Sequence, residues 1–175
     1  MKKERTSLSH PIHVDWVIEN VGVTHAPGKK ASSMFGPPWN RDLDLDLERL
    51  KKRYKADVLI SLIEDHELES LHIDNLVEKC EENSITIYRS SIVDGSIPSL
   101  QQAKDIVEYA FNEVERGKRV IFHCRGGLGR AGTLCACLLT KYGFSSMDAI
   151  KRTRLMRRGA IENTVQENFI HDFVS

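Results

Sequence analysis

Residues 119–130 constrain the fold of this 175-residue chain more than any other stretch. Arg119-Val120-Ile121-Phe122-His123 is apolar and partly β-branched. It runs directly into Cys124-Arg125-Gly126-Gly127-Leu128-Gly129-Arg130, with three glycines, and then into an apolar helical run ending near Lys141. A strand covered by helices on both faces reads as a continuous apolar segment, whereas a half-exposed strand alternates. A strand of this kind that turns straight into a helix therefore belongs inside a parallel sheet. Ala56 to Ile63 is a second run of the same type and predicts another central strand.

The remaining segments fit around these two strands. His13 to His25 predicts two short strands broken near Asn20-Val21-Gly22, and Ala26 to Asn40, rich in Gly, Pro and Ser, predicts a mobile loop. Leu43, Leu47, Leu50 and Tyr54 recur at helical spacing behind Asp42, a ready cap. Helices are expected over 74–82, over 99–116 with Ser99 as cap, over 145–157 and over 163–174, with a strand over 85–90. Strands alternating with helices predict an α/β fold with a mostly parallel central sheet flanked by helices, in which ligands bind outside the carboxyl ends of the strands. Residues 1–12 are polar enough to be a flexible tail, which leaves 13–175 as a single domain.

Bulk properties narrow the function by exclusion. Lysine plus arginine and aspartate plus glutamate number 25 each, so no net field favours nucleic acid or an anionic membrane. No apolar run approaches the ~20 residues that span a bilayer, and the start lacks the apolar stretch of a secretory signal. A soluble cytoplasmic monomer without stable membrane insertion is expected. The four cysteines, Cys80, Cys124, Cys135 and Cys137, show neither the density of a disulfide scaffold nor a Cys-x-x-Cys knuckle, so reduced thiols are expected.

Chemistry concentrates in the loop from Cys124 to Arg130. Glycines let successive backbone N–H groups turn inward as an anion nest, and the following helix adds its positive end. Arg125, Gly126, Gly127, Leu128, Gly129 and Arg130 would together bind a phosphate, with Arg130 gripping two oxygens through its planar fork. Such a setting lowers a thiol from a pKa of about 8.5 into the range ~3.5–7.5, so Cys124 is expected to react as a thiolate. Its attack on a phosphate monoester gives a phosphocysteine and an alkoxide that needs a proton. Asp94, in the turn-forming run Ser91-Ile92-Val93-Asp94-Gly95-Ser96-Ile97-Pro98, is the expected acid and, once deprotonated, the base for hydrolysis; Asp65 and Asp105 are its rivals. No metal or cofactor enters this scheme.

Blander readings apply to several neighbours. Cys135 and Cys137 sit among apolar helix positions and read as core. His123, before the loop, either tunes Cys124 or simply packs. Arg152, Arg154, Arg157 and Arg158 suit the carboxyl end of a helix, with substrate docking the minority reading. Cys80 pairing with Cys124 under oxidation is also a minority reading.

His123-Cys124-x5-Arg130 and Asp94-Gly95-Ser96-Ile97-Pro98 resemble the signature and acid loop of the dual-specificity and tyrosine phosphatase superfamily. With Ala136-Cys137-Leu138-Leu139 and Gly159-Ala160-Ile161-Glu162-Asn163, the chain from about Leu43 to Phe173 is similar to the kinase-associated phosphatases. The resemblance implies Cys124 as nucleophile, Arg130 as phosphate clamp, Asp94 as acid and base, and His123 in support. It implies a phosphorylated protein substrate, carried on tyrosine, serine or threonine, and suggests a protein kinase as partner. Gln166 resembles a glutamine that positions water in some of these enzymes.

Two positions depart from the pattern. Where the superfamily usually carries a Ser or Thr hydroxyl after the loop arginine, to help the cysteine leave, this chain has Ala131. Slow breakdown of the phosphocysteine is then expected, unless Thr133 or a water compensates. Arg125 stands where kinase-associated members tend to have tyrosine, which favours acidic or multiply phosphorylated substrates and brings in phosphoinositide or inositol phosphate hydrolysis as an alternative. A kinase-binding module with incidental catalysis and a rhodanese-like sulfur transferase are further rivals; the latter has no need of Arg130 and Asp94.

Overall fold

The computed structural model describes residues 3–174. Strand β1 (Asp15–Ile18) pairs antiparallel with β2 (Val21–Thr24), and β2 runs parallel to β7 (Val120–His123). On its other side β7 pairs in parallel with β5 (Val58–Ser61), which pairs in parallel with β6 (Thr86–Arg89). The sheet order is β1-β2-β7-β5-β6. All four residues of β2, of β5 and of β7 are buried, as their unbroken apolar runs require. The expected α/β architecture, a mostly parallel sheet flanked by helices, is the one observed.

Each helix follows from local chemistry. Asp42 caps α1 (Leu43–Lys52) by accepting from the Leu45 N–H, while Leu43, Leu47 and Leu50 enter the core. Ser99 caps α4 (Leu100–Glu115) and Ser145 caps α6 (Ser146–Met156) in the same way. Helices α3 (Leu76–Glu82), α5 (Gly129–Lys141) and α7 (Thr164–Val174) complete the expected set. Helix α5 is buried from Gly129 to Leu139 and packs against α4, α6, α7, β2 and β7. Burying a Leu, Ile or Val side chain stabilises by roughly 1.5–3 kcal/mol, so this central helix holds the loop before it in place. Among the described residues no helix is long and apolar enough to cross a membrane.

Three segments differ from the sequence expectations. Helix α2 (Asp65–Ser70) was not anticipated; it is a single short turn and a half, closed by Glu67 accepting from the Glu64 N–H at 2.8 Å. The tail expected over 1–12 is packed onto the domain over its described part. Arg5 exchanges backbone hydrogen bonds with Pro38 and Asn40, and Ile12 is fully buried. Met1 and Lys2 lie outside the described residues. The loop over 26–40 is pinned rather than loose, because β3 (Lys30–Ala31) pairs with β4 (Trp39–Asn40) and the Arg5 guanidinium lies 3.7 Å from the Trp39 ring centre.

A buried ion pair anchors this strap. Arg41 donates to Asp46 at 2.8 and 2.9 Å and to the His10 carbonyl at 2.8 Å, while Asp46 also accepts from the Gly28 N–H at 2.8 Å. Both side chains are 1% exposed, so neither finds water if its partner is lost. Asp46→Ala is expected to destabilise the fold by about 3–5 kcal/mol in urea unfolding, because it strands the guanidinium in the interior. A loss below about 1 kcal/mol would show that the pair is solvated and the strap loose.

Candidate active site

Four parallel strands deliver the site from their carboxyl ends, as the topology of an open parallel sheet dictates. Beyond β7 comes the Cys124 loop, beyond β5 comes α2 with Glu67, beyond β6 comes the turn bearing Asp94, and beyond β2 comes the strap with Lys29 and Trp39. Cys124, Arg125, Gly126, Gly129, Asp94, Glu162, Lys29 and Trp39 line one cavity of about 270 Å³. That is smaller than the ~300–1,000 Å³ of most small-molecule pockets, so it suits a phosphoryl group and the atoms next to it.

The loop is turned inside out. Every carbonyl from Cys124 to Gly129 accepts a hydrogen bond from outside the cavity. Cys124 accepts from His123 Nδ1, Arg125 from the Ala26 N–H, and Leu128 from the Ile161 N–H, each at 3.1 Å. Arg157 donates to the Gly126 and Gly127 carbonyls at 3.0 Å, and Thr133 Oγ1 donates to the Gly129 carbonyl at 2.6 Å. The amide N–H groups of residues 125–128 have no partner among the described residues, the arrangement that makes an anion nest. Gly127 sits at φ +69°, and a Cβ there would lie 2.3 Å from the Thr24 carbonyl oxygen, so only glycine fits.

Arg130 is 1% exposed and locked by a residue that sequence reasoning missed. Its Nη1 and Nη2 donate to the two Glu67 oxygens at 2.7 and 2.8 Å, a fork-to-fork pair, and Nη1 also donates to the Ile92 carbonyl at 2.9 Å. Burial raises the Glu67 carboxyl, but the hydrogen bonds from Arg130 and the Glu64 backbone outweigh it and hold the group below its ordinary value. The Arg130 Nε–H is buried with no partner among the described residues. A buried donor so left costs about 1–3 kcal/mol, which an arriving phosphate oxygen would recover.

Asp94 Oδ1 lies 3.2 Å from Arg130 Nη2, and its side chain is largely exposed at the cavity edge. Its rivals lie elsewhere: Asp65 pairs with Arg89 at 2.8 Å, and Asp105 accepts from Gln101 on α4. His123 is fully buried, and burial pushes its pKa down to about 4, so the neutral ring donates from Nδ1 to the Cys124 carbonyl. All four cysteines are free; burial pushes Cys80 up to about 12 and raises Cys135 and Cys137 further. Of the basic run, Arg157 braces the loop and also pairs with Asp15 at 2.9 Å, while Arg152 and Arg154 donate to backbone carbonyls. Gln166 is fully buried and accepts from the Glu162 N–H at 2.9 Å.

Lys29 was also missed. It is 8% exposed with no carboxylate at ion-pair distance among the described residues; its Nζ lies 3.4 Å from the Arg125 carbonyl and 4.9 Å from the Trp39 ring centre. Burial pushes its pKa down to about 8, the charges of Arg41 and Arg125 act the same way, and Cys124 opposes them. A lysine in a glycine-rich loop carries no local sign of such a setting, and only the strap's packing reveals it.

Comparison with known proteins agrees with this geometry. Residues 48–170 match the family model described as Swiss Army Knife protein, DSP-PTPase phosphatase domain. The chain belongs to this phosphatase family. The phosphatase is 28% identical to human cyclin-dependent kinase inhibitor 3, over 93% of its own length and 79% of that protein. It superposes with a TM-score of 0.83 on a crystal structure of kinase associated phosphatase whose catalytic-site cysteine is replaced by serine, at 26% identity over 93% and 94% of the two chains. It shares the fold of Tk-PTP, with a TM-score of 0.75 at 24% identity, over 92% and 95% of the chains. The phosphatase is thus a cysteine-based enzyme of the protein-tyrosine and dual-specificity class.

Proposed function

We propose that this protein phosphatase hydrolyses phosphotyrosine and phosphoserine or phosphothreonine in proteins through a cysteinyl-phosphate on Cys124. The observation that carries the reading is the loop with its carbonyls turned out and, among the described residues, no partner for its N–H groups or for the Arg130 Nε–H that closes it. A phosphate dianion seated there meets converging donors on its oxygens, with Cys124 Sγ beneath as nucleophile. The S–P bond forms as the P–O bond to the substrate breaks, and Asp94 gives the departing oxygen its proton. Water then attacks phosphorus, releasing inorganic phosphate and the thiolate. The small cavity supports a protein substrate, because only the phosphorylated side chain needs to enter while the rest lies on the surface. Kinase-associated relatives make a protein kinase a reasonable substrate or partner for this chain.

A second reading rests on Lys29 and Arg125. Two cations without carboxylate partners among the described residues share the cavity with Cys124, and together they suit a second phosphate close to the first, as on a phosphorylated inositol. Turnover of phosphotyrosine, phosphoserine and phosphothreonine peptides, compared with inositol bisphosphates and phosphoinositides in the presence of a chelator, tests the two. Peptides are expected to have the higher kcat/KM by at least tenfold. Turnover confined to the inositol compounds would replace the first reading with the second.

A further inference from the structure

The residue after Arg130 is Ala131, fully buried and without a hydroxyl. Thr133, the nearby hydroxyl that would compensate, is 1% exposed and donates to the Gly129 carbonyl at 2.6 Å, so it serves the helix backbone. Ala131 thus offers no hydroxyl to the departing cysteine, and that of Thr133 is already engaged. With no hydroxyl free to assist the leaving sulfur, activation of the attacking water gains weight in the second half-reaction.

A second carboxylate is placed for that task. Glu162 lines the same cavity as Cys124 and Asp94, and it forms no ion pair or side-chain hydrogen bond with the described residues. Its Oε2 would lie 2.4 Å from a Cβ built on Gly129, so the carboxylate rests against the backbone of the phosphate loop itself. The chain is strained to put it there. Ile161 adopts φ +61°, a left-handed conformation that costs a β-branched residue of order 1–3 kcal/mol. The Ile161 N–H donates to the Leu128 carbonyl at 3.1 Å, the Ile161 carbonyl accepts from Arg154 at 3.0 Å, and the Glu162 N–H donates to Gln166 at 2.9 Å. Of the described non-glycine residues at positive φ, Ile161 is the β-branched one and adjoins a residue lining this cavity, and three hydrogen bonds hold the strained segment in place. Partial burial and the charge of Asp94 raise the Glu162 carboxyl above its usual value, with Arg130 opposing, which improves it as a proton acceptor.

We propose that Glu162 is the general base for hydrolysis of the phosphocysteine, so that Asp94 protonates the leaving group and Glu162 deprotonates the water. This rests on the reading of Cys124 as nucleophile given above. In the step, a water oxygen bonds to phosphorus, the P–S bond breaks, sulfur leaves as thiolate, and the water proton passes to a Glu162 oxygen. Glu162 returns that proton to solvent or to the product phosphate before the next cycle.

Rapid mixing of an aryl phosphate with wild type, Glu162→Gln and Glu162→Asp tests the assignment, with mass spectrometry of the quenched protein reporting phosphate on Cys124. Glu162→Gln is expected to release one equivalent of the alcohol quickly, then turn over about 100-fold more slowly than wild type while the phosphoenzyme accumulates. Glu162→Asp, which keeps the carboxylate, is expected to recover part of the slow phase. The proposal is overturned if Glu162→Gln matches wild type in the slow phase, or slows the fast release and the slow phase equally. Absence of phosphate on Cys124 in every one of the three proteins, Glu162→Gln included, while the alcohol is released would instead overturn the underlying assignment of the nucleophile.

Discussion

Cys124→Ser is expected to lower turnover of an aryl phosphate by about 10⁵-fold or more, with affinity for inorganic phosphate retained within a few-fold. Serine fills the nearly buried cysteine site with one atom exchanged, and none of the bonds that shape the loop involves the sulfur. The outward carbonyls and the Glu67-locked Arg130 should therefore stay as they are. On the proposed mechanism what is lost is the nucleophile, because an alcohol oxygen is a far weaker attacking atom than a cysteine sulfur. Calorimetric titration with phosphate reads the retained site, and release of the aryl alcohol reads the lost chemistry. Loss of less than tenfold in turnover would mean that the attacking atom lies elsewhere.

The second large effect concerns Asp94. Asp94→Ala is expected to cost about 10²–10⁴ in kcat on an alkyl phosphate such as a phosphoserine peptide, and less than about tenfold on an aryl phosphate whose phenolate leaves unaided. The contrast follows from its position at the cavity edge, 3.2 Å from Arg130, the phosphate clamp of the proposed mechanism. A side chain that only bound substrate or held Arg130 would change both substrates alike. Equal losses, measured as a flat dependence of kcat on leaving-group pKa relative to wild type, would remove Asp94 from the acid role and transfer attention to Glu162 in the same cavity.

The local parts of this architecture are legible in the order of the residues. The runs at 56–63 and 119–123 predict central strands because burial on both faces leaves only apolar choices, and both strands lie in the interior of the sheet. Caps at Asp42, Ser99 and Ser145 place helix starts because their side chains act on N–H groups two or three residues away. Short α2 escapes notice because its six residues, mostly polar, carry no apolar period. The tail and the strap mislead for a related reason: polar and glycine-rich segments look loose until buried pairs such as Arg41 with Asp46, or a stacked Arg5 and Trp39, tie them down.

Site residues divide along the same line. Cys124, the glycines and Arg130 form one contiguous stretch, so strand, glycine-rich turn and helix start are local consequences of their order, and the phosphatase-like signature is read from the sequence alone. Tertiary structure alone decided who assists. Glu67 meets Arg130 from 63 positions away, Arg157 braces the loop from 30 positions on, and Lys29 approaches Arg125 across 96. Such residues are ordinary surface charges in the sequence. They acquire roles only when parallel strand order brings four loop ends together, and burial then makes each unpaired charge too costly to leave without a partner or a ligand.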